Sequence, residues 1–317
     1  MSAVDASAVK RKRSNSNLRT KWLTIGVFVL PALFLFLLFV VYPVLSAARY
    51  SLFKWDGLAP LDNFIGLKNY FDAFGNGYFT HSILNNFLLI VLSLTIQIPF
   101  SLMLATLLNR SFPGRTIFRL IFFLPYVLSE AITGIIFLLM LQSGGSDSFV
   151  TALVKAFGLG AFAPDWLGDT TFVMVTMFLI ISWKYFGFHM IILLAGLQGI
   201  PREIEEAALI DGAGRWQAFR HVTLPLLGPT LRVSVFLSMI GALQLFDMVW
   251  VTTRGGPLDA SDTMAITLFQ TGYIDQHVGY GSAMAVILFG FGLVLALAYQ
   301  RFVLRRDIEG SVTAFNG

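Results

Sequence analysis

Charge disappears from this chain in six long stretches. Trp22–Tyr42, Phe87–Leu108, Leu120–Leu141, Phe172–Leu197, Val233–Thr253 and Tyr280–Gln300 each run 21 to 26 residues. Together they hold only Glu130, Lys184, His189 and Asp247 as charged or imidazole groups. A helix crossing the hydrocarbon core needs about 20 mostly apolar residues. The pattern therefore predicts an all-α polytopic membrane protein with about six transmembrane helices, over 22–42, 87–108, 120–141, 172–197, 233–253 and 280–300. The first stretch exceeds the apolar core of a cleaved signal, roughly 7–15 residues, so it reads as a retained span.

The polar positions between the stretches orient them. Lys10, Arg11, Lys12, Arg13, Arg19 and Lys21 precede the first. Arg110, Arg115 and Arg119 follow the second; Arg202, Arg215, Arg220 and Arg232 follow the fourth; Arg301, Arg305 and Arg306 follow the sixth. That alternate set takes 16 of the 22 Lys and Arg, and cytoplasmic loops carry the excess of positive residues. Both ends are thus expected in the cytoplasm: a basic tail over 1–21, a transmembrane domain over 22–303 and a second tail over 304–317. Phe149–Phe157, after a Gly/Ser turn, has apolar residues at helical spacing and reads as an interfacial helix.

Composition narrows the function. Charged residues make up 13% and hydrophobic ones 56%, against about 25% charged in soluble domains. The net charge of +4 follows from basic residues flanking spans, without the basic–aromatic interleaving of a nucleic-acid surface, so no nucleic-acid partner is expected. No cysteine occurs, which removes disulfides, thiolate metal sites and cysteine nucleophiles. No Gly-Lys-Ser/Thr occurs either, so the chain has no phosphate-cradling loop of its own. Nothing points to an enzyme or to a bound metal.

One cytoplasmic stretch, 199–229, is too structured for a plain connection. Pro201 suits a first helical position, and Glu203, Glu205 and Glu206 suit the positive end of a helix dipole. Ala207 and Ala208 follow, Gly212-Ala213-Gly214 breaks the helix, and Trp216, Phe219 and Val222 line one side of a second helix that Pro225 is expected to end. Small residues admit a close neighbour and aromatics supply docking area.

Glu206-Ala207-Ala208, three residues, Gly212, nine residues, then Val222-Thr223-Leu224-Pro225 resembles the EAA signature of permease subunits in binding-protein-dependent ABC importers, with Val where that pattern has Ile. Phe64–Tyr70, Leu124-Pro125-Tyr126, Leu194–Gln198, Leu245-Phe246-Asp247 and Gly255-Gly256-Pro257 resemble the carbohydrate-uptake branch, maltose and sn-glycerol-phosphate permeases among them, from about Trp22 to Arg305. The resemblance implies a type I importer permease fold with a cytoplasmic coupling helix. Glu206, Ala207, Ala208, Asp211 and Gly212 would contact an ATPase subunit, with Leu224 and Pro225 fixing the exit. It also implies the partners: a second permease in a heterodimer, two ATP-binding cassette subunits that hold ATP and Mg, and an extracytoplasmic solute-binding protein. No cofactor belongs to this chain.

Ionisable groups inside a bilayer usually face an interior or a pathway. Gln97, Glu130, Trp183, Lys184, Tyr185, His189, Gln244 and Asp247 are the candidate pathway residues. The amides, hydroxyl and acids would bind sugar hydroxyls, and the rings would offer flat apolar faces. Gln244 and Asp247 share a helical face by i, i+3 spacing, and Lys184 pairing with Asp247 or Glu130 to hold spans together is the structural alternative. Three other readings fit part of the pattern: a proton-coupled secondary transporter using Glu130, Lys184, His189 and Asp247, an ABC permease for a solute such as glycerol phosphate, and a membrane-anchored assembly or receptor protein without transport activity.

Overall fold

The computed structural model describes residues 16–142, 147–160 and 163–304. Residues 1–15 of the basic tail, the 143–146 Gly/Ser turn, and the C-terminal tail from 305 with Arg305 and Arg306 lie outside the described residues. In chain order the helices are α1 (Lys21–Tyr50), α2 (Lys68–Gly75), α3 (Gly77–Asn109), α4 (Arg115–Val127), α5 (Glu130–Leu141), α6 (Phe149–Ala156) and α7 (Val173–Gln198). They continue as α8 (Arg202–Ile210), α9 (Arg215–Leu226), α10 (Gly228–Leu243), α11 (Asp247–Thr252), α12 (Met264–Phe269) and α13 (Val278–Val303). Among the described residues no strand forms beyond a single bridge between Phe53 and Phe64.

Among the described residues, α1, α3, α7 and α13 are each long and apolar enough to cross a membrane. Two bent pairs add to them: α4 with α5 at 95°, and α9 with α10 at 69°. The count reaches six where each bent pair is one span. Expected span 120–141 is therefore broken: Leu128 and Ser129 both adopt extended backbone, with ψ of 143° and 154°. Expected span 233–253 is interrupted at Gln244–Phe246, between α10 and α11.

The chain divides into two units, residues 1–49 and 50–317. The first holds α1 as far as Arg49, and the exposed Phe28 and Phe39 of that helix give it an apolar surface suited to lipid. In the second unit, α7 is the most buried candidate span. It packs on α3 and α4, and α4 crosses it at Gly187, where a Cβ would stand 1.8 Å from the Phe122 carbonyl oxygen. Any larger residue there forces the helices apart. One apolar cluster joins Met177, Phe178, Ile181, Met248 and Val249; another joins Leu104, Leu108, Met190, Leu194 and Leu227.

Three prolines are absorbed in one way. Pro43, Pro99 and Pro225 each follow a π turn by two residues: Leu37–Val41, Ser93–Gln97 and Phe219–Thr223. The residue before each proline donates its N–H five residues back, Tyr42 to Leu37, Ile98 to Ser93 and Leu224 to Phe219. The widened turn relieves the clash of the ring with the carbonyl four residues back. This overturns one expectation: Pro225 does not end its helix, which continues to Leu226.

Candidate functional site

The α4–α5 break places the polar groups of mid-span. The last carbonyls of a helix lack intrahelical partners, and lipid offers none. Lys184 on α7, 2% exposed, supplies them: its Nζ donates to the carbonyl oxygens of Leu128 and, at 3.4 Å, of Tyr126. The ammonium also lies 5.9 Å and 5.6 Å from the ring centroids of Tyr126 and Tyr185. It forms no salt bridge with Asp247 or Glu130; a cation at the negative end of a helix stands in place of the ion pair that was the structural alternative. Across the break, the Ser129 hydroxyl accepts the Ile132 N–H at 3.2 Å, and the Tyr185 hydroxyl donates to the Glu130 carboxylate. Two successive residues of α7 thus fasten both sides of the break.

Glu130 is thereby turned toward a cavity of about 400 Å³. Its wall comes from Leu89, Ser93 and Gln97 of α3, Glu130 of α5, and Ile181, Tyr185, Phe188 and His189 of α7. Leu237, Ser238, Gly241 and Ala242 of α10, the Gln244–Phe246 break and Asp247 complete it. Six of the eight residues expected from sequence meet here: Gln97, Glu130, Tyr185, His189, Gln244 and Asp247. Gln244 and Asp247 come together through the break between α10 and α11, not along one helical face. Thr263 Oγ1 satisfies the Leu245 carbonyl oxygen in that break at 2.9 Å. Asn86 holds the same region, donating to the Ala242 carbonyl oxygen at 2.6 Å and accepting from the Met264 N–H at 2.8 Å.

Two expected residues stand elsewhere. Lys184 is behind the wall at the break, and Trp183 packs edge-on against Phe137 at 5.2 Å. The remaining lining residues were not expected, the hydroxyl-bearing and aromatic Ser93, Phe188, Ser238 and Phe246 among them. Their signals were faint. Ser93 precedes Gln97 by one helical turn, and Ser238 follows Ser234, whose hydroxyl bonds His189 Nδ1 at 2.8 Å. Phe188 stacks on Tyr126 at 4.6 Å and Phe246 on Trp250 at 5.9 Å, so neither ring turns freely. Hydroxyls, amides, acids and fixed rings around one cavity suit a polyhydroxyl solute.

A second feature lies in α8 and α9. Gly212, with φ of +89°, ends α8 in a Schellman turn: the Ala213 N–H reaches the Ala208 carbonyl oxygen at 3.0 Å and the Gly212 N–H that of Leu209 at 3.2 Å. Only glycine takes that φ without strain. The Gly214 N–H then donates to Gln217 Oε1 at 2.8 Å to open α9. Glu206, Ala207, Asp211, Gly212 and Pro225 are exposed, while Ala208 and Leu224 are half-buried. No residue of α8 is buried. Ile210 is 86% and Trp216 69% exposed, an apolar tip on a polar segment.

A helical chain with several candidate membrane spans and a cavity bordered by polar side chains has the make-up of a membrane transport component. The family "Binding-protein-dependent transport system inner membrane component" matches residues 97–307, and the chain belongs to it. The chain is 33% identical to the probable ABC transporter permease protein YurN of Bacillus subtilis, over 87% of this chain and 94% of that one. It is 31% identical to the trehalose/maltose transport system permease protein MalF of Thermococcus litoralis, over 89% and 94%. Its fold matches a chain in the crystal structure of a bacterial ABC transporter that imports the acidic polysaccharide alginate. That match has a TM-score of 0.77 at 24% identity, over 92% of this chain and 98% of that one.

Proposed function

We propose that this chain forms half of the translocation pathway of an ATP-driven importer for a carbohydrate, mono- or oligosaccharide, handed over by an extracytoplasmic binding protein. A second permease completes the pathway, and two separate ATPase subunits bind ATP and Mg. The observation that carries the reading is the α8–α9 segment: an exposed helix, a glycine turn and an apolar tip that no other described residue covers. Glu206, Ala207, Ala208, Asp211 and Gly212 contact the ATPase, and Leu224 and Pro225 set the direction in which α9 leaves it. The sugar reading is supported by the trehalose/maltose relative and by the hydroxyl, amide and ring lining of the cavity.

The topology follows the basic residues, with both ends in the cytoplasm. The six spans are α1, α3, the α4–α5 pair, α7, α10 continued by α11, and α13. Gln97, Glu130, Tyr185, His189, Gln244 and Asp247 line the pathway. Trp183 and Lys184 support it from behind.

Because the chain carries no cysteine, a single Ala207→Cys gives a clean probe. In the assembled importer it crosslinks to the ATPase subunit, and in intact cells an impermeant thiol reagent leaves it unlabelled. Labelling from outside, or no crosslink to any ATPase, would overturn the assignment.

A further inference from the structure

The cavity wall carries a sign. Two acids, Glu130 and Asp247, border it, and among the described residues no Lys or Arg does. Lys184 stands behind the wall with its ammonium on the carbonyls of the α4–α5 break, where its charge offsets part but not all of that of the two acids. Glu130 accepts the Tyr185 hydroxyl hydrogen. His189, the remaining basic group, is tied through Nδ1 to Ser234. The other polar lining is neutral. Ser238 is 7% exposed, and its hydroxyl has no hydrogen-bond partner. A buried hydroxyl without a hydrogen-bond partner costs free energy.

Family membership leaves the charge of the cargo open, since the structural neighbour's importer carries an acidic polysaccharide. We infer that this wall selects by charge: it admits uncharged polyhydroxyl solutes and repels anions. The cargo is then a neutral glycoside and not an acid sugar, a sulfonate or a phosphate ester. The inference rests on the reading of the cavity as the pathway. A low-dielectric cleft lined by one sign of charge concentrates counter-ions by roughly 10–1,000-fold and depletes co-ions correspondingly.

The test measures the sign directly. Gly241 borders the cavity, and a Cβ added there meets nothing within 4 Å; the chain has no other thiol. Gly241→Cys in the assembled importer is treated at pH 8, where an ordinary imidazole is uncharged. The reagents are the trimethylammonioethyl and sulfonatoethyl methanethiosulfonates, each rate divided by its rate with free mercaptoethanol and labelling read on this chain by mass. The cationic reagent is expected to react at least ~10-fold faster, and the preference to shrink at least ~3-fold on adding Glu130→Gln or Asp247→Asn. Equal normalised rates in Gly241→Cys overturn the inference while leaving the pathway reading intact. An undiminished preference in both acid variants removes it from these two residues. Failure of both reagents in every nucleotide state overturns the pathway reading itself.

Discussion

Two of the helix breaks in this chain solve one problem in opposite ways. At Leu128–Ser129, inside the apolar stretch, the freed carbonyls of α4 are met by the Lys184 ammonium, a side chain 56 residues away from Leu128. At Asp211–Gly214, in the exposed α8–α9 segment, the freed carbonyls of α8 are met by the next backbone N–H groups of the same turn. Water could serve the second break and cannot serve the first, because lipid has no donors. The Leu128–Ser129 break therefore takes a buried charge from another helix and ties α4 to α7. A break in water needs only a residue that tolerates a positive φ. The first arrangement fixes one geometry around the cavity, whereas the second leaves a short, protruding turn free to be gripped.

Altering the exposed turn is expected to have the largest effect. At φ of +89° a non-glycine residue costs about 1–2 kcal/mol, and a β-branched one more. Gly212→Val should therefore redirect α9 away from α8. Uptake by the reconstituted importer should fall to background and the ATPase subunits should be lost on gentle detergent extraction, with membrane insertion unchanged. Gly212→Asn, which tolerates this conformation better, should keep a measurable share of uptake. Full transport by Gly212→Val would separate the turn from coupling.

The membrane break is tested by removing its donor. Lys184→Met leaves the Leu128 and Tyr126 carbonyls unpaired at about 1–3 kcal/mol, read as a lower Tm of the detergent-solubilised protein. Lys184→Arg, which keeps the charge and donors, should recover most of the loss. Tyr185→Phe, which removes only the bond to Glu130, should cost less than Lys184→Met. Native stability in Lys184→Met would show that the ammonium caps nothing.

The same contrast explains what could be read from the amino acids alone. The α8–α9 segment was legible because its determinants are local: acidic first turn, alanines, glycine turn and aromatics lie within 25 residues, 201–225. The apolar stretches were legible for the same reason. The α4–α5 break was not, since Leu128-Ser129 carries no glycine and its partner lies on α7. Charge in an apolar run marked Lys184 as special without showing that it serves a backbone. Pro225 misled because the compensating π turn has no sequence mark of its own. For the cavity, polarity singled out Gln97, Glu130, His189 and Asp247. The serines and phenylalanines between them look like ordinary span residues until the helices are packed.

A buried acid outside the spans gives the gentlest test, because it lacks the kind of partner that Lys184 has. Asp262 is 2% exposed; one carboxylate oxygen has no hydrogen-bond partner and the other accepts from Thr267 Oγ1 at 3.4 Å. Burial, with a smaller push from Asp259, raises its pKa to about 7, partly opposed by the Thr267 bond. The folded protein thus keeps a proton that the unfolded chain releases near pH 4, roughly the ordinary carboxyl value. Its contribution is full below that value, falls as pH rises through the window, and is level above about 7. The Tm should drop by a few degrees between pH 5 and pH 8 in the native chain and stay flatter in Asp262→Asn, which keeps the shape without the charge. Parallel pH profiles for the two proteins would mean that Asp262 is ionised in the folded state and that something pairs with it.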